Sequence, residues 1–311
     1  MHLKKLFRNS PFYLILQAFI VQFTLISIFF RSIVKDINFT INFLLFMYRE
    51  SNNDNNKRIL QGSYLSDLPL SFFINFRLFI NKFIDRKKRF PNKTQQPPLF
   101  FSDFLKSKSW YHSNKAVSKV DIEVEKIKTQ LKENVHVFKK TYKKIQYQSS
   151  EDKRNKNMAD GNWNVYPLYS GTGKISKNCK ECPELLSIID KLPRFAYGMA
   201  YYSIMQPNTF VHGHFGPTNA RLRYHLGLKI PKEVYFRVSN NLNKWLQDDC
   251  IVLDDSYYHE VFQQSDNKRV IFLLDCWHPE LSIHEKIFLT KLIRLAIIYS
   301  NHPASTRKIY N

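Results

Sequence analysis

The chain has 311 residues, 44% of them apolar and 15% aromatic, enough to bury a sizeable core and too many for a disordered polypeptide. Its formal net charge of +21 raises nucleic acid as a partner, but no zinc-finger spacing, aromatic-rich RNP run or basic region leading into heptads is present, so that class is set aside. The basic runs, among them Arg86-Lys87-Lys88-Arg89, Lys139-Lys140 and Lys143-Lys144, read as solvated faces and linkers or as contacts with anionic lipid headgroups.

Tyr13 to Phe30 carries no charge and has about the length needed to cross a bilayer. Lys4, Lys5 and Arg8 precede it, and the heavier positive flank predicts a cytosolic N-terminus with the bulk of the chain across the membrane. The run is longer than a usual signal-peptide core and no small-residue cleavage site follows. An uncleaved type II signal anchor is therefore expected, with the rest of the chain in the lumen of the endoplasmic reticulum. Ile37 to Tyr48 is a weaker apolar segment; paired with the first as a hairpin, it would return the chain to the cytosolic side. Residues 66–84 are apolar but hold Asp67, Arg77 and Lys82, which fits an interfacial or packed helix. Ser51 to Asn56 and Arg86 to Pro98 read as linkers. The expected division is thus an anchor over 1–35, a second apolar segment and linker over 36–98, and one domain over 99–311.

Val120, Val124, Ile127, Leu131, Val135, Phe138, Tyr142 and Ile145 are spaced by threes and fours. They predict one helix of about seven turns with a single apolar stripe. After residue 160 the period becomes two. Leu222, Tyr224, Leu226 and Leu228 alternate with Arg223, His225, Gly227 and Lys229, a strand with two distinct faces. Ala196–Met205, Val234–Val238, Cys250–Leu253 and Arg269–Cys276 are further strands, separated by turn residues, and Ile283 to Tyr299 is a closing helix. The predicted class is α+β: a double-stranded β-helix, or jelly roll, flanked by helices. Cys179 and Cys182 form a lone C-x-x-C, a disulfide in the lumen or two thiols in the cytosol; Cys250 and Cys276 read as core residues.

His214 falls in a turn-rich loop before a strand, and His259 follows Asp254-Asp255-Ser256 just past another. Two neutral imidazoles can hold iron, and a nearby arginine such as Arg269 can clamp a carboxylate through parallel hydrogen bonds. Singly, each has a bland reading: a structural histidine, or an Arg223 that only neutralises Asp254 or Asp255. Together, the stretches Ser203–Asn208 (SIMQPN), His214–Pro231 (HFGPTNARLRYHLGLKIP), Asp254–Val261 (DDSYYHEV) and Arg269–Leu281 (RVIFLLDCWHPEL) resemble the aspartyl/asparaginyl β-hydroxylase family over about residues 160–281.

That resemblance implies an enzyme, a dioxygenase using Fe(II), 2-oxoglutarate and O2. It implies His214 and His259 as iron ligands, Arg269 on the distal carboxylate of 2-oxoglutarate, and Ser203, Arg223 and His225 helping to hold the cosubstrate. Many 2-oxoglutarate oxygenases place an acidic ligand two residues after the first histidine; here that residue is Gly216. A water fits the vacant position, with Asp255 the candidate for its hydrogen-bond partner. Trp277 and His278 are read as packing. The implied substrates are aspartyl or asparaginyl side chains of proteins, such as EGF-like modules. The alternative is a lipid acyl chain at the membrane surface, as bacterial relatives of the family hydroxylate.

Overall fold

A computed structural model of the protein describes residues 63–65, 92–97, 100–111, 118–151, 158–171 and 173–300. The apolar stretches 13–30, 37–48 and 66–84 lie outside the described residues. Among those described, no helix is long and apolar enough to cross a membrane.

In chain order the elements are β1 (Ser63–Leu65), β2 (Phe100–Ser102), β3 (Trp110–Tyr111), α1 (Lys119–Glu133), α2 (Val135–Ile145), β4 (Ser150–Glu151), β5 (Ala159–Asp160), β6 (Trp163–Ser170) and β7 (Gly173–Lys174). Then come α3 (Ser176–Lys180), α4 (Pro183–Ile189), β8 (Ala200–Met205), β9 (Thr209–His214), β10 (Arg221–Lys229), β11 (Val234–Val238) and β12 (Asn241–Asn243). The last are β13 (Cys250–Leu253), β14 (His259–Gln263), β15 (Arg269–Trp277) and α5 (Ile283–Ser300). Two antiparallel sheets carry the architecture. The larger runs β3-β13-β10-β15-β8-β6-β4, with β7 paired to β6, and the smaller runs β12-β11-β14-β9-β5.

Strand β10 shows why the sheets stack. Leu222, Tyr224, Leu226 and Leu228 point to one side and join Val120, Val124, Leu131, Phe138 and Ile145 of the two long helices in a continuous core. Its other face, with Arg221, Arg223 and His225, turns toward the small sheet. There Trp110, Leu253 and Ile271 from the large sheet pack on Phe236, Val238 and Val261 from the small one. Helices, sheet and sheet thus form three layers, and the polar face of β10 is enclosed as thoroughly as the apolar one.

The predicted seven-turn helix is two helices. Ser118 caps α1 through the backbone N–H of Asp121, whose carboxylate returns a bond to the Ser118 N–H. The helix stops at Asn134, which has φ −98° and ψ 11°, outside the helical range. The break moves one position of the stripe: Val137 is buried and Val135 only partly so, while Phe138, Tyr142 and Ile145 are buried as the spacing predicts. Strands β11 and β13 coincide with the expected ranges, and β15 runs one residue further. Strand β6 was not foreseen because Pro167 interrupts it; proline lacks a ladder donor, and the register with β8 slips between Pro167 and Tyr169. The four cysteines are free and buried, and burial pushes the Cys179 and Cys182 thiols up, so both act as core residues.

Candidate metal centre

His214 is not in a loop. It is the last residue of β9, and His259 is the first of β14, and the two are direct partners in the antiparallel ladder. Opposed residues in such a ladder share a face, so register alone brings the imidazoles together, with ring centroids 4.1 Å apart and planes at 55°. Each ring is fixed by a bond to the backbone two residues earlier: Nδ1 of His214 lies 2.8 Å from the His212 carbonyl oxygen, and Nδ1 of His259 lies 2.8 Å from that of Tyr257. A carbonyl only accepts, so both Nδ1 atoms carry the proton and both Nε2 atoms keep a lone pair. Burial lowers the pKa of both rings, and for His259, with the added influence of His214, it falls to about 3. Neutral imidazoles locked in the Nε2-acceptor tautomer are the form a divalent metal requires.

No cluster of three or more His, Cys, Asp or Glu side chains suited to a metal exists among the described residues. The reason lies at Gly216. A Cβ built there would overlap the carboxyl group of Asp255, and the Gly216 N–H donates to the Asp255 carbonyl at 2.7 Å. The space beside the histidines that a side chain at 216 would use is filled by a carboxylate from another strand end.

That carboxylate belongs to a lattice of two arginines and two aspartates. Arg221 bonds Asp255 through Nη2 at 2.7 Å and Asp275 through Nη1 at 2.6 Å. Arg223 bonds Asp255 through Nη1 at 3.0 Å and Asp275 through Nε at 2.8 Å and Nη2 at 3.1 Å. Burial alone would raise the Asp255 pKa, but the two guanidiniums outweigh it and hold the carboxyl well below the usual carboxylate range. Asp255 is therefore more than a turn residue. Arg223 neutralises Asp255, one of the two partners considered for it; Asp254 instead sits among Gln95, Ser107 and Ser256.

At the other end of the same face, Arg269 has a different environment. It is buried, and its Nη2 donates to Ser203 Oγ at 2.8 Å, which also accepts from Trp163 Nε1 at 2.8 Å. Its Nε has no partner, and among the described residues no carboxylate pairs with it. The guanidinium lies 5.0 Å from the centroid of the Trp245 ring. Burial depresses its pKa to about 9, a measure of how poorly the surroundings solvate the charge. His225 lies near. Its Nδ1 accepts from Trp245 Nε1 at 3.2 Å, so Nε2 carries the proton, and that buried N–H also lacks a partner. Two neighbouring buried donors without partners, one of them cationic, fit a carboxylate ligand.

All seven residues singled out from the sequence (Ser203, His214, Arg223, His225, Asp255, His259 and Arg269) thus fall on the inner faces of the two sheets or their ends. Arg221, Asp275, Trp163 and Trp245 complete the constellation and were missed. Arg221 had a signal, since it continues the alternation of Arg223 and His225. Asp275 did as well: it is an acid inside an otherwise apolar strand, directly opposite Arg223. The indoles gave none. Trp277 packs edge-on against Phe195, with centroids 4.4 Å apart, and His278 is fully buried, as a packing role requires.

The model of the aspartyl/asparaginyl beta-hydroxylase family matches residues 123–279, half of the chain and the whole of this constellation. The chain belongs to that family. The human aspartyl/asparaginyl beta-hydroxylase is 39% identical over 130 residues, which are 40% of this chain and 17% of that protein. The Xenopus tropicalis aspartate beta-hydroxylase domain-containing protein 2 is 30% identical over 218 residues, 67% of this chain and 58% of that one. This chain therefore matches less than two thirds of either relative. Likeness to solved structures is faint. A Pseudomonas putida prolyl-4-hydroxylase gives a TM-score of 0.34 at 8% identity, covering 47% of this chain and 87% of that one. A cupin-like protein from Thermotoga maritima gives 0.28 at 10%, covering 43% and 80%. The jelly-roll description of this family member rests on its own strand order.

Proposed function

We propose that the chain is a dioxygenase that uses Fe(II) and 2-oxoglutarate to hydroxylate aspartyl or asparaginyl side chains of polypeptides. The observation that carries the reading is the pairing of two Nε2-acceptor imidazoles with a buried guanidinium that has no internal counter-charge. His214 and His259 would hold the metal. When bound, iron with 2-oxoglutarate and dioxygen supplies the oxidising power to hydroxylate an unactivated carbon, 2-oxoglutarate leaving as succinate and carbon dioxide.

The chain's own residues do the remaining work. Arg269 and Ser203 anchor the distal carboxylate of the cosubstrate, and the His225 Nε2–H supplies a further donor. Trp245 keeps that donor in place by occupying His225 Nδ1. Arg223 acts first by holding Asp255, and its three contacts leave N–H donors over for the cosubstrate. Asp255, pinned between Arg221 and Arg223 beside Gly216, would orient a water at the position that lacks a protein ligand. The apolar walls of Phe236, Trp245 and Ile271 exclude bulk water and so protect the reacting centre from side reactions.

The test is succinate release by the purified protein with Fe(II), 2-oxoglutarate and Asp- or Asn-containing peptides, with ornithine lipid as the competing substrate class. His214→Ala and His259→Ala are expected to lower iron-dependent turnover by at least 100-fold. Turnover equal to wild type in both would remove the metal assignment. We also read residues 13–30 as a signal anchor that puts the domain in the lumen. Asn92, in an Asn-Lys-Thr triplet, is exposed, so a glycosidase-sensitive mass at that position is the expected result, and an unmodified Asn92 in cells would count for the cytosolic side.

A further inference from the structure

A cavity of about 500 Å³ opens on the outer face of the small sheet, and its walls include Lys93, Phe215, Arg237, Ser239, Leu242 and Tyr258. Two of these are the immediate chain neighbours of the imidazoles: Phe215 follows His214 and Tyr258 precedes His259, and their rings meet edge to face at 5.6 Å. The cavity therefore lies at the strand ends that carry the histidines, on the face turned away from the imidazoles.

Its chemistry is one-sided. Lys93 and Arg237 line it, and no acid does. Arg237 has two partners, Glu260 with Nη1 2.9 Å from the carboxylate and the Phe262 ring 5.5 Å from its guanidinium carbon. Lys93 has no carboxylate within ion-pair reach among the described residues. The segment that carries Lys93 is held in place by residues far along the chain as well as by its own turn. The Asn92 side-chain oxygen accepts from the Thr94 N–H and hydroxyl at 2.9 and 2.8 Å, forming a local turn. The Thr94 hydroxyl bonds Ser239 Oγ at 2.8 Å, and the Tyr258 N–H donates to the Thr94 carbonyl at 2.7 Å. A short segment more than a hundred residues away in sequence is thus pinned to the rim, and it delivers a cation there. Leu242, 54% exposed, adds an apolar surface to the same cavity.

We propose that this cavity is a substrate-binding subsite for an acidic polypeptide segment flanking the hydroxylated residue. A carboxylate would lie against Lys93 and the side of the Arg237 guanidinium turned away from Phe262, and a neighbouring apolar side chain against Leu242. A polypeptide is favoured over a lipid because the cavity combines separated cations, a polar rim and a modest apolar wall. An acyl chain would need a continuous apolar channel. The proposal rests on the hydroxylase reading only in calling the occupant a substrate; the binding itself needs neither metal nor cosubstrate.

The experiment is fluorescence anisotropy of labelled octaglutamate and of an alternating Glu-Leu octapeptide. Both are titrated with the full chain in neutral detergent and excess chelator, and soluble glycerophosphoserine is the competitor. Both peptides are expected to bind. Lys93→Glu should weaken both by tenfold or more, and Leu242→Ser should weaken the Glu-Leu peptide about threefold more than octaglutamate. Affinity unchanged in Lys93→Glu would assign the binding to the diffuse positive charge of the chain and overturn the proposal. Displacement by glycerophosphoserine at a concentration where free glutamate has no effect would assign the cavity to a lipid headgroup and overturn it as well. A chain that binds the peptides but shows no 2-oxoglutarate binding would keep the subsite and remove the hydroxylase reading, so the two failures are distinct.

Discussion

The inner face of the β10–β15 pair holds two arginine sites of opposite character. At one end, Arg221 and Arg223 are closed against Asp255 and Asp275, two positive and two negative groups in mutual contact. At the other end Arg269 is as deeply buried but has a serine hydroxyl and an indole ring for company. His225 lies between them in register. A balanced buried lattice holds shape, because breaking it strands a charge. An unbalanced buried cation is destabilising on its own and favours whatever anion arrives. The same residue type thus serves as framework in one place and as receptor in the other, and the difference is the presence of an internal acid.

The largest effect expected from breaking that contrast is at Asp275. Asp275→Leu leaves two guanidiniums facing one carboxylate and should cost about 3–5 kcal/mol, read as a fall in Tm of roughly 10 °C. A Tm within 2 °C of wild type would show that the lattice is not structural. Arg269→Met is next and acts in two directions. The KM for 2-oxoglutarate should rise about 100-fold, equivalent to roughly 2.7 kcal/mol. Tm in the absence of 2-oxoglutarate should stay level or rise, because an uncompensated charge has been removed. A fall in Tm like that of Asp275→Leu would erase the distinction.

Asp254 and Asp255 sharpen the comparison through pH. Burial raises the Asp254 carboxyl to about 7, while its neighbour is held far below the usual range. The folded chain keeps the Asp254 proton where the unfolded chain loses it near 3.9. Its contribution is therefore full below about pH 4 and is lost as pH climbs through 7. Asp255 contributes in the opposite sense: its stabilisation is present above about pH 4 and lost as pH falls through its depressed folded value. Asp254→Asn should flatten a decline of roughly 1–2 kcal/mol between pH 5 and 8 in urea denaturation, and an unaltered slope would place that titration elsewhere. The smallest effect is at Trp245. Trp245→Phe keeps the stacking with Phe236 but frees His225 Nδ1, and a loss of about 1 kcal/mol, near fivefold in 2-oxoglutarate KM with kcat retained, is expected.

Much of this was legible in the sequence because β structure reports its faces directly. The period of two in β10 put His225 on one face with Arg223, though not Arg221, and the spaced stretches around His214, His259 and Arg269 located the site. What escaped was pairing. His214 read as a loop residue because Gly213 and Gly216 surround it and a six-residue strand leaves little pattern; only the ladder with β14 makes it a strand end. Asp275 was hidden in an apolar run, since nothing local says that the residue opposite is an arginine. The break at Asn134 was hidden for another reason: three-and-four spacing continues across it, and the residues on either side still reach one core.

Positions 216 and 255 compete for one volume, and that ties their histories together. A descendant acquiring an acid at 216 would have to give up the side chain at 255, leaving Arg221 and Arg223 short of a counter-ion; one losing Asp255 first would meet the same deficit. An acid at 216 alone has no room, loss of Asp255 alone strands the arginines, and the double exchange strands them too unless the new acid reaches the same guanidiniums. The arrangement with two imidazoles is in that sense self-preserving, guarded by the cost of every route out of it.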